Sequence, residues 1–371
     1  MKTKACAMFG LELPIFAFSH CRDVVVEVSR AGGMGVLGAS GFTKEQLEEE
    51  LRWIDAHVGG KPYGVDLLMP NRYEKVAPQH RMSIDDLLPQ AQRDFVKQMM
   101  DDAGVPALPA DLRQSLLDGY NRKINMTPDD AEGLVDVALS FPVKLIVSAL
   151  GIAPKHMIDL IHERGVKVGA LVGKVEHAVH QKEAGIDLLI AQGAEAGGHT
   201  GTVSSLVLWP QVVDAVAPLP VLAAGGVGRG RQMAAALALG AEGVWCGSVW
   251  LGTAQSELLP EMKSRLHAAQ SEDAIQTRAL SGKPCRALKS EFTEAWARPG
   301  APKTLPMPLQ TLLVAEARMR FERARDPRFL TYPVGQVVGD MKHETTCRQV
   351  IEDMLGEFVD ATERLGGLLQ D

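Results

Sequence analysis

The sequence lacks paired cysteines, clustered basic residues and long apolar runs. Its five cysteines stand singly along 371 residues, which argues against a disulfide framework and a zinc site. Lys and Arg form no run and the net charge is -7, so nucleic acid is not an expected partner. No apolar stretch reaches about 18 residues, and Glu12 and Pro14 interrupt the apolar N-terminus. We therefore expect a cytoplasmic protein with no metal, membrane or nucleic-acid partner.

What the sequence contains instead is a series of short apolar segments. Their Val, Ile and Leu residues do not alternate with polar ones, as is typical of strands buried on both faces of a parallel sheet. These candidate strands are residues 13–19, 35–40, 62–68, 143–151, 166–173, 186–193, 220–226 and 243–248. Helix-like segments separate them, several of which end in Gly. The alternation predicts an α/β protein with a (β/α)8 TIM barrel; a doubly wound open sheet is the alternative.

Two segments are additional to the eight strand–helix units that a minimal barrel requires. Residues 75–140, after the third strand, and residues 256–371 at the C-terminal end are both mainly helical in character. We expect residues 1–255 to form the barrel, interrupted by the insertion, and residues 256–371 to pack on it as an extension. Because insertions after barrel strands lie on the catalytic face, the insertion is expected to form a lid or substrate wall; extra packing or an oligomer interface is the alternative.

Small-residue turns follow the seventh and eighth candidate strands, where barrels commonly bind phosphate. Gly225 and Gly226 would let backbone N–H groups approach a phosphate, and a helix beginning near Gly230 would direct its positive dipole end at it. Gly247 and Ser248 would offer an N–H and a hydroxyl to the same anion. Taken singly, such glycines only make tight turns. The matched pair of turns predicts a phosphate site.

The segment AQGAEAGGHTG (191–201) follows the sixth candidate strand. Gly197 and Gly198 have no Cβ, so the backbone here can approach a flat ligand closely. His199 would then project towards that ligand and act as a general base near neutral pH. The alternative is a histidine that only caps a turn or bonds to Glu195.

These stretches, together with LPIF and AGGMGVLGA upstream, resemble the nitronate monooxygenases, formerly called 2-nitropropane dioxygenases. The resemblance covers residues 11–70 and 143–255. It implies an FMN-dependent (β/α)8 flavoenzyme that oxidises alkyl nitronates with O2 to carbonyl compounds and nitrite, with His199 as the catalytic base. Flavin-dependent enoyl-acyl-carrier-protein reductases and NADH:quinone reductases look similar, so an NAD(P)H-dependent reductase is the alternative. A nitronate or nitroalkane, O2, NAD(P)H and a second copy of the chain are the candidate partners.

The resemblance also implies which residues hold the FMN. It assigns the phosphate to the two glycine turns, the ring to Gly197 and Gly198, and the polar edge or ribityl chain to Gln192. The end of the first strand would pass its backbone along the ring at Ala17, Phe18, Ser19 and His20, and Asp66 is also expected among the cofactor-binding residues. Several positions depart from the family pattern: family members often carry Met in place of His20, Asn in place of Asp66, Lys in place of Leu171 and Thr in place of Ser248.

Overall fold

The computed structural model describes residues 1–69, 88–124, 128–148 and 151–368. Parts of the predicted insertion (75–87 and 125–127), the end of the fourth candidate strand (149–150) and residues 369–371 lie outside the described residues. Eight parallel strands close into a barrel, and each one falls on a segment predicted from the sequence. They are β1 (Ile15–Ser19), β2 (Met34–Gly38), β3 (Tyr63–Leu67), β4 (Leu145–Ser148), β5 (Lys167–Val172), β6 (Leu188–Gln192), β8 (Val221–Ala224) and β9 (Gly243–Cys246). The predicted (β/α)8 barrel is therefore confirmed.

The strands lack polar alternation because both of their faces are buried. On β1, Phe16 joins the cluster inside the barrel, while Ile15 and Ala17 join the larger cluster between the barrel and its helices. Val36 on β2 also faces inward, and Leu37 faces outward. Alternate residues of one strand thus enter two different cores, and both cores need apolar side chains.

Helices cover the outside of the barrel and build the segments beyond it. In chain order they are α1 (Lys4–Phe9), α2 (Arg22–Arg30), α3 (Lys44–His57), α4 (Gln90–Asp102), α5 (Ala110–Ile124), α6 (Pro128–Leu139), α7 (Lys155–Glu163), α8 (Val175–Glu183), α9 (Ser205–Val216), α10 (Gly230–Ala238), α11 (Pro260–Ala268), α12 (Glu291–Ala297), α13 (Leu309–Ala324) and α14 (Cys347–Gly367). Among the described residues no helix is both long and apolar enough to cross a membrane.

The insertion and the C-terminal extension share one hydrophobic core. Met99 of α4 belongs to the same buried cluster as Trp296 of α12 and Phe321 of α13. An ion pair of 2.8 Å between Arg113 of α5 and Glu316 of α13 adds to the contact. Two segments that lie far apart in the sequence therefore fold together, so the predicted boundary at residue 255 does not separate their cores.

A small antiparallel sheet joins the extension to the barrel, and it was not predicted from the sequence. Its strands are β7 (Gly198–His199), β10 (Ala274–Thr277) and β11 (Cys285–Leu288), in the order β10-β11-β7. In register, Cys285 pairs with His199 and Arg286 pairs with Gly198. β7 has only two residues, and β10 (AIQT) and β11 (CRAL) mix polar with apolar residues, so they lack the apolar runs that marked the barrel strands. The sheet connects the extension directly to the predicted catalytic histidine.

Candidate active site

A cavity of about 920 Å³ opens at the carboxyl ends of the barrel strands. The barrel forms its floor, and the C-terminal extension forms part of its wall. Of the residues predicted for the site, those that line the cavity are Phe18, Ser19, His20, Asp66, Gln192, Gly197, Gly198, His199, Gly225, Gly226, Gly247 and Ser248. The structure therefore brings these predicted residues to one place.

Ala17 is the predicted site residue that does not line the cavity. It is fully buried on the outer face of β1, against the surrounding helices. Phe18, on the opposite face of the strand, reaches the cavity and stacks on Trp245 at a ring-centroid distance of 6.1 Å. The contact predicted for Ala17 involves its backbone, so it stays a prediction although its side chain points away from the cavity.

The turn after β8 offers free backbone donors to the cavity. Gly225 and Gly226 have φ angles of +105° and +72°, which favour glycine. Within the described part of the chain, no acceptor pairs with the N–H groups of Gly225, Gly226 or Gly247. Ser248 Oγ accepts a hydrogen bond of 2.8 Å from the Gly335 N–H and keeps its own proton to donate. These donors fit an anionic group such as a phosphate.

The start of α10 does not take part in this arrangement, although the sequence suggested that its dipole would. The N–H groups of Gly228 and Arg229 donate to Gln232 Oε1 at 2.8 and 3.0 Å. Gly230 packs against α14 so closely that a Cβ would lie 1.8 Å from the Met354 carbonyl oxygen. The cavity lining includes none of these residues. The turn itself, rather than the helix, presents the donors.

Glu195 links the segment 191–201, which contains His199, to the turn after β8 through hydrogen bonds. Its carboxylate accepts from the Ser205 N–H at 2.9 Å, and Ser205 Oγ lies 2.8 Å from the same carboxylate and 2.9 Å from Gly225 O. The Glu195 carbonyl accepts from the Gln336 N–H at 2.9 Å. Glu195 is therefore bonded to Ser205 rather than to His199, which removes one of the alternatives raised by the sequence.

His199 is exposed to the cavity, and its orientation is set by the C-terminal extension. Its Nε2 lies 2.6 Å from Ser281 Oγ, in the loop between β10 and β11. Burial of the ring and the positive charge of Lys283 lower the pKa of His199. A neutral imidazole accepts protons, so this environment favours a general base at neutral pH. Ser281 was missed because it lies 82 residues away in the sequence.

Asp66 on β3 and His20, directly after β1, are two of the positions that depart from the family pattern, and β2 lies between their strands. Asp66 is only 3% exposed, and burial raises the pKa of its carboxyl well above the ordinary value. Its register partner on β2 is Gly38, whose carbonyl oxygen lies 2.6 Å from His20 Nδ1. Because a carbonyl only accepts, the proton sits on Nδ1, and Nε2 of the neutral ring is an acceptor.

Further cavity residues were not predicted as site residues. The barrel side adds Lys174 and His177, and the extension adds Lys283, Arg318 and Tyr332. The extension residues carry no local signal because only the packing of the extension brings them to the barrel.

Cys21, Asp23 and Glu257 bring three potential metal-ligand atoms within 4.8 Å of one another. Cys21 Sγ donates to Gln255 O at 3.0 Å, and burial raises the pKa of this thiol to about 11. A protonated thiol is a poor metal ligand, since binding requires the thiolate. The absence of a metal site stays a prediction.

Comparisons with known proteins agree with this geometry. Rv1533 of Mycobacterium tuberculosis, provisionally assigned as a monooxygenase, is 46% identical over 378 residues and matches 100% of both chains. The structure of nitroalkane oxidase from Streptomyces ansochromogenes superposes with a TM-score of 0.76 at 26% identity, over 96% of this chain and 98% of that one. FabK from Thermotoga maritima gives a TM-score of 0.73 at 26% identity over 100% of both chains. The nitronate monooxygenase family profile matches residues 17–357. The chain is thus an oxidoreductase that belongs to the nitronate monooxygenase family.

Proposed function

We propose that this protein is an FMN-dependent nitronate monooxygenase that uses His199 as its catalytic base. The observation that carries the proposal is that His199 and the free N–H groups of the glycine turns line the same cavity. Family membership supports a flavin cofactor, and the anion-binding turns favour one with a terminal phosphate. FMN carries such a phosphate.

The residues at the cavity fit this cofactor. The turns at Gly225 and Gly247 would hold the phosphate, and Gly198, where an added Cβ would meet no heavy atom within 4 Å, leaves room for the ring. Gly197 instead allows close packing against the backbone of Val334 and Gly335, which a Cβ would approach to 2.8 Å. A bound FMN would supply the electron transfer that a nitronate requires, while the protein supplies orientation and charge. Gln192 lines the same cavity and would contact the polar part of the cofactor.

His199 would handle the proton of a neutral nitroalkane. Because Nε2 is bonded to Ser281, the neutral Nδ1 would accept the proton from the carbon next to the nitro group, and the imidazolium would then face the anionic nitronate. Ser281 holds the ring through Nε2, and Lys283 adds a second positive charge beside it. A pre-formed nitronate needs no such proton removal, so the two substrates separate the acid–base role from the oxidation.

Turnover of purified protein with propyl nitronate in air tests this function, with nitrite release as the readout. The alternative is an NAD(P)H-dependent reductase acting on a quinone or an enoyl thioester, with which the likeness to FabK is compatible. Anaerobic mixing with NADH distinguishes the two activities. Rapid bleaching of the flavin together with no nitrite release from propyl nitronate would favour the reductase and contradict the proposal.

Replacing Lys283 by Gln is expected to move the acidic limb of the pH profile to higher pH. The positive charge of Lys283 helps to lower the pKa of His199, and its removal raises that pKa again. Because the base must be neutral to work, the wild type keeps its activity to lower pH than the variant. The measurement is kcat/KM for nitroethane as a function of pH, with Lys283→Arg as the charge-preserving control. An acidic limb at the same pH in Lys283→Gln and wild type would contradict the assignment.

A further inference from the structure

Asp66 is a buried carboxyl that the mechanism above does not use. It lies on β3, faces the cavity and is 3% exposed. Within the described residues, no donor or cation lies within hydrogen-bond or ion-pair distance of its carboxylate oxygens. Its register partners, Gly38 on β2 and Val147 on β4, carry no titratable side chain. A carboxyl left alone in such a place is stabilised in its neutral form.

Other titratable or charged groups face the cavity but do not neutralise Asp66. Those on the barrel side are His20, Cys21, Lys174 and His177. Those on the loop and extension side are His199, Glu257, Lys283, Arg318 and Tyr332. Desolvation is the only cause that shifts the pKa of Asp66, and it raises this pKa well above the ordinary value. His20 is bonded through Nδ1 to the carbonyl oxygen of Gly38, the register partner of Asp66.

We propose that Asp66 binds the flavin ring as a neutral carboxylic acid and donates its O–H to an acceptor atom of that ring. This inference rests on the proposed function only in that a flavin occupies the cavity. A neutral acid presents one donor and one acceptor, as an amide does, whereas a carboxylate only accepts. Flavin rings carry carbonyl oxygens and ring nitrogens that accept hydrogen bonds. Asp66 therefore supplies a donor that is lost when the group ionises.

The affinity for FMN should consequently depend on pH through one proton. At low pH, wild type and Asp66→Asn are expected to bind FMN with similar affinity, since both present a donor. As the pH rises through the pKa of Asp66, the dissociation constant of the wild type should rise by up to about tenfold per pH unit relative to the variant. Titration of apoprotein with FMN, followed by quenching of flavin fluorescence, measures this ratio. Ionisation of FMN itself affects both proteins equally, so it drops out of the ratio of their dissociation constants. Parallel curves for the two proteins would overturn the proposal.

Two measurements on the apoprotein test the protonation separately from the flavin. Because the unfolded chain releases the Asp66 proton at lower pH than the folded chain does, the wild type should lose thermal stability relative to Asp66→Asn as the pH rises above the ordinary aspartate pKa of about 4. The infrared carbonyl band of a protonated carboxylic acid should persist in the wild type above the pH at which ordinary carboxyls ionise. If the variant does not fold, the band in the wild type alone decides, and its absence would overturn the proposal.

The outcomes separate this inference from the proposed function. A protein that binds FMN with the expected pH dependence but releases no nitrite from nitronates retains the Asp66 assignment and loses the monooxygenase assignment. A protein that releases nitrite while wild type and variant bind FMN with the same pH dependence retains the function and loses the Asp66 assignment. A protein that binds no flavin loses both.

Discussion

Replacing His199 by Asn is expected to lower the turnover of a neutral nitroalkane at least about 100-fold while FMN stays bound. Asn keeps the approximate size and polarity of the side chain but has no nitrogen that takes up a proton near neutral pH. General-base catalysis is typically worth about 10²–10⁴-fold, and His199 is the base that the cavity offers next to Ser281 and Lys283. Turnover of propyl nitronate should fall much less, because its proton has already been removed.

A matched control is available on the barrel. His180 lies on α8, is exposed and does not line the cavity, so His180→Asn makes the same chemical change outside the site. Steady-state turnover of nitroethane and of its nitronate in wild type and both variants, with the flavin content read from the visible spectrum, completes the comparison. Unchanged nitroethane turnover in His199→Asn would remove His199 from the mechanism.

The barrel itself could be predicted because its strands carry a strong and simple signal. Each strand is buried on both faces, so runs such as 186–193 contain almost only apolar residues. The carboxyl end of each run then marks where chemistry is expected, which led directly to His199 and to the turns at Gly225 and Gly247. The backbone contact expected of Ala17 stays a prediction, since only its side chain is turned to the outer face of β1.

The other half of the cavity could not be predicted, for a different physical reason. Ser281, Lys283 and Arg318 reach the barrel only because the extension packs on it and β11 pairs with β7. Such contacts between distant segments leave no periodic trace in the sequence. The shared core of Met99 and Phe321 likewise depends on the packing of two segments whose sequences, taken alone, indicate only helical character.

Replacing Gly225 by Ala is expected to weaken FMN binding at least about tenfold, or about 1.4 kcal/mol. A Cβ at this position would lie 2.6 Å from Ser205 Oγ and 3.0 Å from the Gly193 backbone nitrogen, so the turn must move. That movement displaces the free N–H groups proposed to hold the phosphate, and it strains the link from Ser205 to Glu195.

Gly185→Ala separates this effect from the cost of the left-handed backbone alone. Gly185 has a φ of +91°, close to the +105° of Gly225, but no heavy atom lies within 4 Å of its virtual Cβ. Both variants should lose about 1–2 kcal/mol of stability, because an L-residue is disfavoured in this conformation. Only Gly225→Ala should also lose affinity, as measured by FMN titration of apoprotein whose fold has been checked by circular dichroism. Wild-type affinity in Gly225→Ala would show that the phosphate does not bind at this turn, since the turn cannot accommodate the added carbon without shifting the donors.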